Sequence, residues 1–360
     1  MAGPATTAIP PPAPVETRTG PVRGWVAVPL VVALLVVLLG EVAVRAVSSH
    51  LPEPQLWSSP ESQIKYDEMR ALARAHQTGG VVLLGTSLTD VGIDPALLSG
   101  ELGAHLPVYD ASLAGGTLES VRWWYDHVVA PFLQPKVVVF GISSRELNPS
   151  DPQAATLAEQ FFAAPAVRHI DGTESVMQRL ERYAGDASYL FRYRKVLRQP
   201  SQVVHKTTPI DNQERFLTSL GMATPFAAMV YQRSPVIDAF FRTTVTANYH
   251  VGAAKVSALG GTLADIRASH AAALLVAMPI TADYIALHPH GAADFGRYEQ
   301  VMAEVATQVG VPEMPTQVWP PALFADPIHL NQAGARRLTP LIARALVPLL
   351  PHAAQPRAAP

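Results

Sequence analysis

Three residue types that acyl transfer requires occur in this chain in a usable order. Ser87 follows an apolar run, Val81-Val-Leu-Leu-Gly85-Thr-Ser87, and a distant loop, Asp326-Pro-Ile-His329-Leu-Asn331-Gln-Ala-Gly334, supplies a carboxylate and an imidazole. A serine hydroxyl attacks a carbonyl only when a base takes its proton, and an imidazole titrating near pH ~6.5 can do so at neutrality. Asp326, three residues before His329, is spaced to hold the second ring nitrogen and fix the tautomer. Each residue also has a bland role, because Gly-Thr-Ser strings make turns and helix caps and Asp-Pro is a common turn pair. Nucleophile, base and orienting carboxylate occurring together is what favours chemistry. Oxyanion donors are expected from the Ser87 N–H, from the N–H of Gly115 or its neighbour Gly116, and from the polar segment Gly141-Ile-Ser143-Ser144.

These residues need a scaffold, and the apolar patterning supplies one. Val81–Leu84, Pro107–Asp110, Lys136–Phe140 and Ala272–Ile280 read as strands, each followed by glycine, proline or small polar residues. Helical stretches at 65–75, 94–98, 118–132, 247–269, 298–309 and 333–350 alternate with them, and 310–314 reads as a further short strand. That rhythm is the signature of an α/β sheet, which places ligands beyond the carboxyl ends of its strands, where Ser87 falls. Trp123, Trp124 and Tyr125 on the helix at 118–132 read as core. Between about 150 and 245 the rhythm breaks into a polar, helix-leaning insert expected to cap the sheet. Its clustered Arg192, Arg194, Lys195 and Arg198 read as a solvated helical face, with a face toward anionic lipid or acidic glycan as the alternative.

Composition narrows the rest. The chain has 360 residues, 49% hydrophobic, with a net charge of −2, so it has ample material for a core and no basic surplus for a nucleic-acid partner. It contains no cysteine, which rules out disulfides, thiolate metal sites and a cysteine nucleophile. His288-Pro-His290 lacks a third ligand at metal spacing. A phosphate-cradling glycine loop with lysine is also missing.

Residues 1–22, rich in proline and alanine, read as a disordered tail, and 351–360 as a frayed one. From Trp25 to Gly40 every residue is apolar, and the run extends through Val47 apart from Glu41 and Arg45. A span of roughly twenty such residues crosses a bilayer core of about 30 Å. Residues 23–47 are therefore expected to be a transmembrane helix, with 48–64 as a linker. A cleaved signal peptide fits less well, since the run is long and no small-x-small site ends it before Ser48. Arg18 and Arg23 before the span lean toward a cytoplasmic N-terminus and an extracytoplasmic domain.

Gly85-Thr-Ser87, the Gly115 turn, Gly141-Ile-Ser143-Ser144 and Asp326-x-x-His329-Leu-Asn331-x-x-Gly334 follow the order of the four sequence blocks of the SGNH (GDSL-like) hydrolases. The chain resembles that superfamily over residues 81–350 apart from the insert, and the last block is the specific part. The resemblance implies a flavodoxin-like three-layer α/β/α sandwich, a triad of Ser87, His329 and Asp326, and no metal or cofactor. Two positions depart from the pattern. Ser143 stands where the family has an oxyanion asparagine, and its hydroxyl donates one bond with shorter reach, with Ser144 or Arg145 as substitutes. Thr86 replaces the middle residue of Gly-Asp-Ser. The Gly-x-Ser form, the apolar span and the insert are most similar to the exported, membrane-anchored subgroup that O-acylates cell-envelope polymers. The D-alanine-transfer protein of Gram-positive walls and the alginate O-acetylation proteins are of that kind.

The implied function is a membrane-anchored serine esterase or O-acyltransferase acting on acyl groups, expected to be acetyl, of an extracytoplasmic glycan or envelope polymer. Its implied partners are that polymer, the bilayer through residues 23–47, and a multispanning membrane acyltransferase. The alternative is a catalytically weak or inactive scaffold, or a glycan-binding protein, of the same fold.

Overall fold

The structure, a computed structural model, describes residues 23–103 and 106–350, so the two expected tails lie outside the described residues. Its centre is a parallel sheet of β1 (Val81–Gly85), β2 (Val108–Asp110), β3 (Val137–Ile142), β4 (Ala272–Ala277) and β5 (Glu313–Met314), in the order β2-β1-β3-β4-β5. That is the flavodoxin-like order, and it places β1, with the Ser87 turn at its end, beside the point where the chain reverses direction across the sheet. Register sets Leu83 opposite Asp110 and Gly85 opposite Gly141, so the ends of β1, β2 and β3 come out at one edge. Every residue of β1 and β3 is buried, as parallel strands covered on both faces must be.

The helices are α1 (Arg23–Val47), α2 (Pro60–Arg74), α3 (Ser87–Gly92), α4 (Pro95–Glu101), α5 (Leu118–Trp124) and α6 (Ala130–Leu133), the last two joined by a π-helical turn at Tyr125–Val129. The insert contributes α7 (Pro152–Ala163), α8 (Pro165–Ile170), α9 (Val176–Ala187), α10 (Tyr189–Arg192), α11 (Arg194–Leu197), α12 (Pro200–His205), α13 (Pro209–Glu214) and α14 (Pro235–Thr243). After it come α15 (Ala253–Ala268), α16 (Ala282–Leu287), α17 (Ala292–Val309) and α18 (Gln332–Leu346). Helices α5, α15 and α17 pack together against one face of the sheet, and α3, α4 and α18 form the opposite layer. The result is a three-layer α/β/α sandwich. Trp124 and Tyr125 are fully buried, and the Trp124 indole N–H donates to the Ala111 carbonyl at 2.9 Å.

Several boundaries differ from the sequence reading: the helix expected at 298–309 starts at Ala292, the one expected at 247–269 starts at Ala253, and two others have a clear cause. Helix α2 starts at Pro60, inside the expected linker, because Ser59 caps it and proline suits the first turn. Trp57, also in that stretch, is buried edge-on against Trp124 at 4.8 Å, so the segment is tied to the core. The strand expected to reach Ile280 ends at Ala277, before Pro279, which has no N–H for a ladder.

The insert packs its helices on α1, α2, α5 and α16 and reaches the sheet at its β2 edge. The Asp110 N–H at the β2 edge donates to Leu220 O at 2.8 Å, and the Ala223 N–H bonds to Asp90 O at 3.3 Å. Residues 217–223 thus seal the sheet's open edge and brace α3.

Candidate active site

Ser87 is the first residue of α3, immediately after the strand-to-helix turn. Through residues 81–93 it alone is half exposed, while the rest are buried, so the fold presents one hydroxyl to solvent. Gly85 permits this turn because a Cβ there would collide with the Thr89 hydroxyl and the Gly141 carbonyl. Thr89 uses the same closeness to donate to Gly141 O at 2.9 Å, fastening α3 to the end of β3.

The second half of the site is the loop before α18. Asp326 Oδ1 accepts from the N–H groups of Ile328 (2.9 Å) and His329 (2.8 Å), folding a tight carboxylate-centred turn. Pro327 O accepts from both the N–H (3.1 Å) and the hydroxyl (2.9 Å) of Thr281, holding the turn to the segment after β4. Asn331 caps α18 through the Gly334 N–H at 3.1 Å and donates to Met229 O and Ala322 O at 2.9 Å each. A Cβ at Gly334 would run into the Leu323 carbonyl. The Asn331-x-x-Gly334 part of the motif thus shapes the loop that aims His329.

The structure brings the three residues together. Ser87 Oγ lies 2.9 Å from His329 Nε2, and His329 Nδ1 lies 2.6 Å from Asp326 Oδ2. Burial would raise the Asp326 carboxyl, but the facing imidazole and the two backbone N–H groups outweigh it and hold it below the ordinary carboxylate range. An ionised Asp326 accepts from Nδ1–H, which leaves Nε2 with a lone pair for the Ser87 hydroxyl proton. The Phe226 ring, from the insert, sits 5.0 Å from the imidazole and shields one side of it.

The expected oxyanion donors divide. The Leu113 N–H donates to Gly85 O at 3.0 Å, so the chain after β2 runs beside the nucleophile turn and carries Gly115 to the same edge. Gly115 has a left-handed φ of +71°, which favours glycine, and Gly116 spends its N–H on Leu113 O at 2.9 Å. Among the described residues no acceptor engages the N–H of Ser87 or of Gly115. Ser143 is placed differently: its hydroxyl donates to Glu146 Oε2 at 2.9 Å and its N–H to the same oxygen at 2.8 Å. In this arrangement it caps the 3-10 turn Ser144–Leu147 rather than offering a free donor. Ser144 is committed as well, to the Tyr284 hydroxyl at 2.9 Å and His288 Nε2 at 3.0 Å, and Arg145 pairs with Asp151. His290 pairs instead with Asp294, so the two histidines of His288-Pro-His290 face different partners.

Two supports were not singled out in the sequence. Glu146 Oε1 accepts from the Thr86 hydroxyl at 2.9 Å while Oε2 holds Ser143, so one carboxylate clamps the residue before the nucleophile to the end of β3. The spacing Ser143-x-x-Glu146 is a capping box and was a readable signal. Glu146→Ala is expected to lower kcat about 10–100-fold through loosening of the turn, with KM little changed. Steady-state kinetics on a chromogenic acetate ester reads this, and equal losses in Glu146→Gln and Glu146→Ala would place the effect elsewhere.

The second support is Lys65, fully buried beneath the turn. Its ammonium donates to Asp90 Oδ1 at 2.6 Å and to Ser112 O at 2.7 Å, with Glu61 Oε1 3.3 Å away. Glu61 in turn accepts the Ala114 N–H at 3.1 Å, beside Gly115. Burial alone would lower the Lys65 ammonium, and Asp90, Glu61 and Asp110 overcome that and raise it. Burial also pushes the Asp110 carboxyl up to about 6. Lys65 therefore binds α2, α3 and the Gly115 turn into one unit. Lys65→Met strands buried carboxylates and should cost about 3–5 kcal/mol of unfolding free energy, measured by urea denaturation. Adding Asp90→Asn should restore part of that loss, and full additivity would contradict the pairing.

No protein-family model matches the chain, and neither does any curated protein. Among solved structures it is similar to TesA at 17% identity and a TM-score of 0.38, covering 75% of this chain and 99% of TesA. It is similar to Axe2, an acetylxylan esterase from Geobacillus stearothermophilus, at 12% identity and a TM-score of 0.38, covering 78% of this chain and 98% of that one. A carbohydrate acetylesterase family member from Sinorhizobium meliloti aligns at 12% identity and a TM-score of 0.36, over 75% of this chain and 99% of that one.

Proposed function

We propose that the protein is a membrane-anchored serine esterase or O-acyltransferase of the SGNH type. It would act on acyl groups, foremost acetyl, of an extracytoplasmic glycan or envelope polymer. The observation that carries this reading is the continuous Ser87–His329–Asp326 relay, at 2.9 and 2.6 Å. Ser87 Oγ attacks the ester carbonyl as its proton passes to His329 Nε2, and the carbonyl oxygen becomes an oxyanion facing the Ser87 and Gly115 N–H groups. Collapse breaks the ester C–O bond, and the imidazolium returns its proton to the departing alkoxide. An acyl-Ser87 remains. Water or a sugar hydroxyl then gives its proton to His329 and its oxygen to the acyl carbon; the acyl C–Oγ bond breaks and His329 returns the proton to Ser87 Oγ. Helix α1, whose residues Val28–Leu39 are largely exposed, supports anchoring in a bilayer. The multispanning acyltransferase is the donor this scheme would need for transfer rather than hydrolysis.

One observation favours the second reading, a weak or non-catalytic glycan-binding scaffold: the Ser143 hydroxyl is committed to Glu146, which removes one expected oxyanion donor. A fluorophosphonate probe separates the two. Labelling of the full-length protein that disappears in Ser87→Ala supports the enzyme, and no labelling of either supports the scaffold.

A further inference from the structure

Helix α9 is built inside out for a protein surrounded by water. Val176, Met177, Leu180 and Tyr183 fall on one face at helical spacing and are 72%, 67%, 56% and 58% exposed. The polar Gln178 and Arg182 on the opposite side are half-buried, as are the small Ala184 and Gly185. An uncovered apolar stripe of this kind marks a surface that meets another apolar phase.

What that phase is follows from where the helix sits. Helix α9 ends at Ala187, and the next residues are clamped to the end of α1. Glu41 accepts from the Ser188 hydroxyl at 2.8 Å and from the N–H groups of Tyr189 (2.9 Å) and Leu190 (3.0 Å), and the Arg45 guanidinium lies 4.8 Å from the Tyr189 ring centre. A second clamp follows directly, since Arg192 and the Tyr193 hydroxyl both bond to Glu53, at 2.8 and 3.0 Å. The insert is thus fixed to the chain on both sides of the point where the apolar span ends. From Arg168 to Lys206 it carries eight Lys or Arg against four Asp or Glu, in a chain whose net charge is −2. Exposed Val204 and Leu197 add to the same segment. Apolar side chains with a basic surround, fixed beside a bilayer-length helix, match an interfacial helix on an anionic leaflet.

We infer that α9 lies in the bilayer interface with Val176, Met177, Leu180 and Tyr183 in the acyl-chain boundary, so that α1 and α9 together hold the catalytic domain against the membrane. This rests on reading α1 as a membrane anchor. The docked α9 gives the domain a fixed height and orientation, where α1 alone would leave it on a swivel. The enzyme would then favour acyl donors or acceptors presented close to the leaflet.

The absence of cysteine makes the test direct. Full-length Leu180→Cys, Val32→Cys and Gln300→Cys proteins are labelled with an environment-sensitive fluorophore and reconstituted into phosphatidylcholine/phosphatidylglycerol vesicles carrying spin-labelled lipids. The inference predicts loss of fluorescence at position 180 that is larger for a quencher near the headgroups than for one at the chain ends. Position 32 should be quenched most by the deep label, and position 300 by neither. Quenching at 32 with none at 180 overturns the interfacial helix and leaves the anchor standing. No quenching at 32 overturns the anchor itself. A blue-shifted label at 180 that lipid quenchers do not reach indicates a protein partner and also overturns the inference.

Discussion

Ser87→Ala and His329→Ala are each expected to lower kcat/KM for ester cleavage by about 10⁴–10⁶-fold, and the double substitution by no more than either alone. The non-additivity is the informative part. If Oγ and Nε2, 2.9 Å apart, act as one proton-transfer unit, removing either disables the unit, and removing both has nothing left to disable. Independent roles would instead multiply the two losses. Folding should survive both changes, because Ser87 is half exposed and its side chain bonds only to His329 among the described residues. Thermal unfolding of the variants checks that the loss is chemical.

Asp326→Asn carries the second large effect, a fall in kcat of about 10⁴-fold with KM nearly unchanged. An asparagine can still accept the two backbone N–H groups that shape the turn, so the loop should stay in place. What changes is the proton on the ring: the neutral amide no longer favours Nδ1–H, and it cannot stabilise the imidazolium that forms as Ser87 attacks. The linkage adds a stability signature. A carboxyl held below its ordinary range contributes stability that is present above the unfolded-state value and is lost as pH falls through the lower, folded-state value. The wild type should therefore lose this contribution only in strongly acidic solution, and Asp326→Asn should lack that step. An activity loss below tenfold would leave Asp326 as a turn residue.

Much of the scaffold could be read from the chain because parallel strands buried on both faces leave a plain mark. Val81–Leu84 and Val137–Phe140 are uninterrupted apolar runs, and each ends in a residue that permits a close approach. The order Ser87, Asp326, His329 also pointed to residues that the structure places within hydrogen-bond distance of one another, although 242 positions separate the serine and the histidine. Elements whose role is set by distant partners left no such mark. Lys65 reads as an ordinary helix lysine, and only the fold brings Asp90 and the Ser112 carbonyl to it. Phe226 lies in a stretch without periodicity, so nothing local announces that it will face His329. Ser143 shows the opposite case. A family pattern suggested an oxyanion role, whereas the nearer cue, Glu146 three residues on, describes the hydrogen bonds it makes.

Helix α1 and the Ser87–His329 pair are connected through the insert, since the insert that reaches Glu41 also supplies Phe226 and Leu220, the partner of the β2 edge. The central claim remains the acyl-serine. Rapid acid quench of the full-length enzyme turning over a chromogenic acetate ester, followed by peptide mass analysis, tests it most directly. The account predicts one added acetyl group on the peptide containing Ser87, present during turnover and absent in Ser87→Ala. Ester cleavage that persists in Ser87→Ala, or an acetyl group found on any other residue, would contradict it.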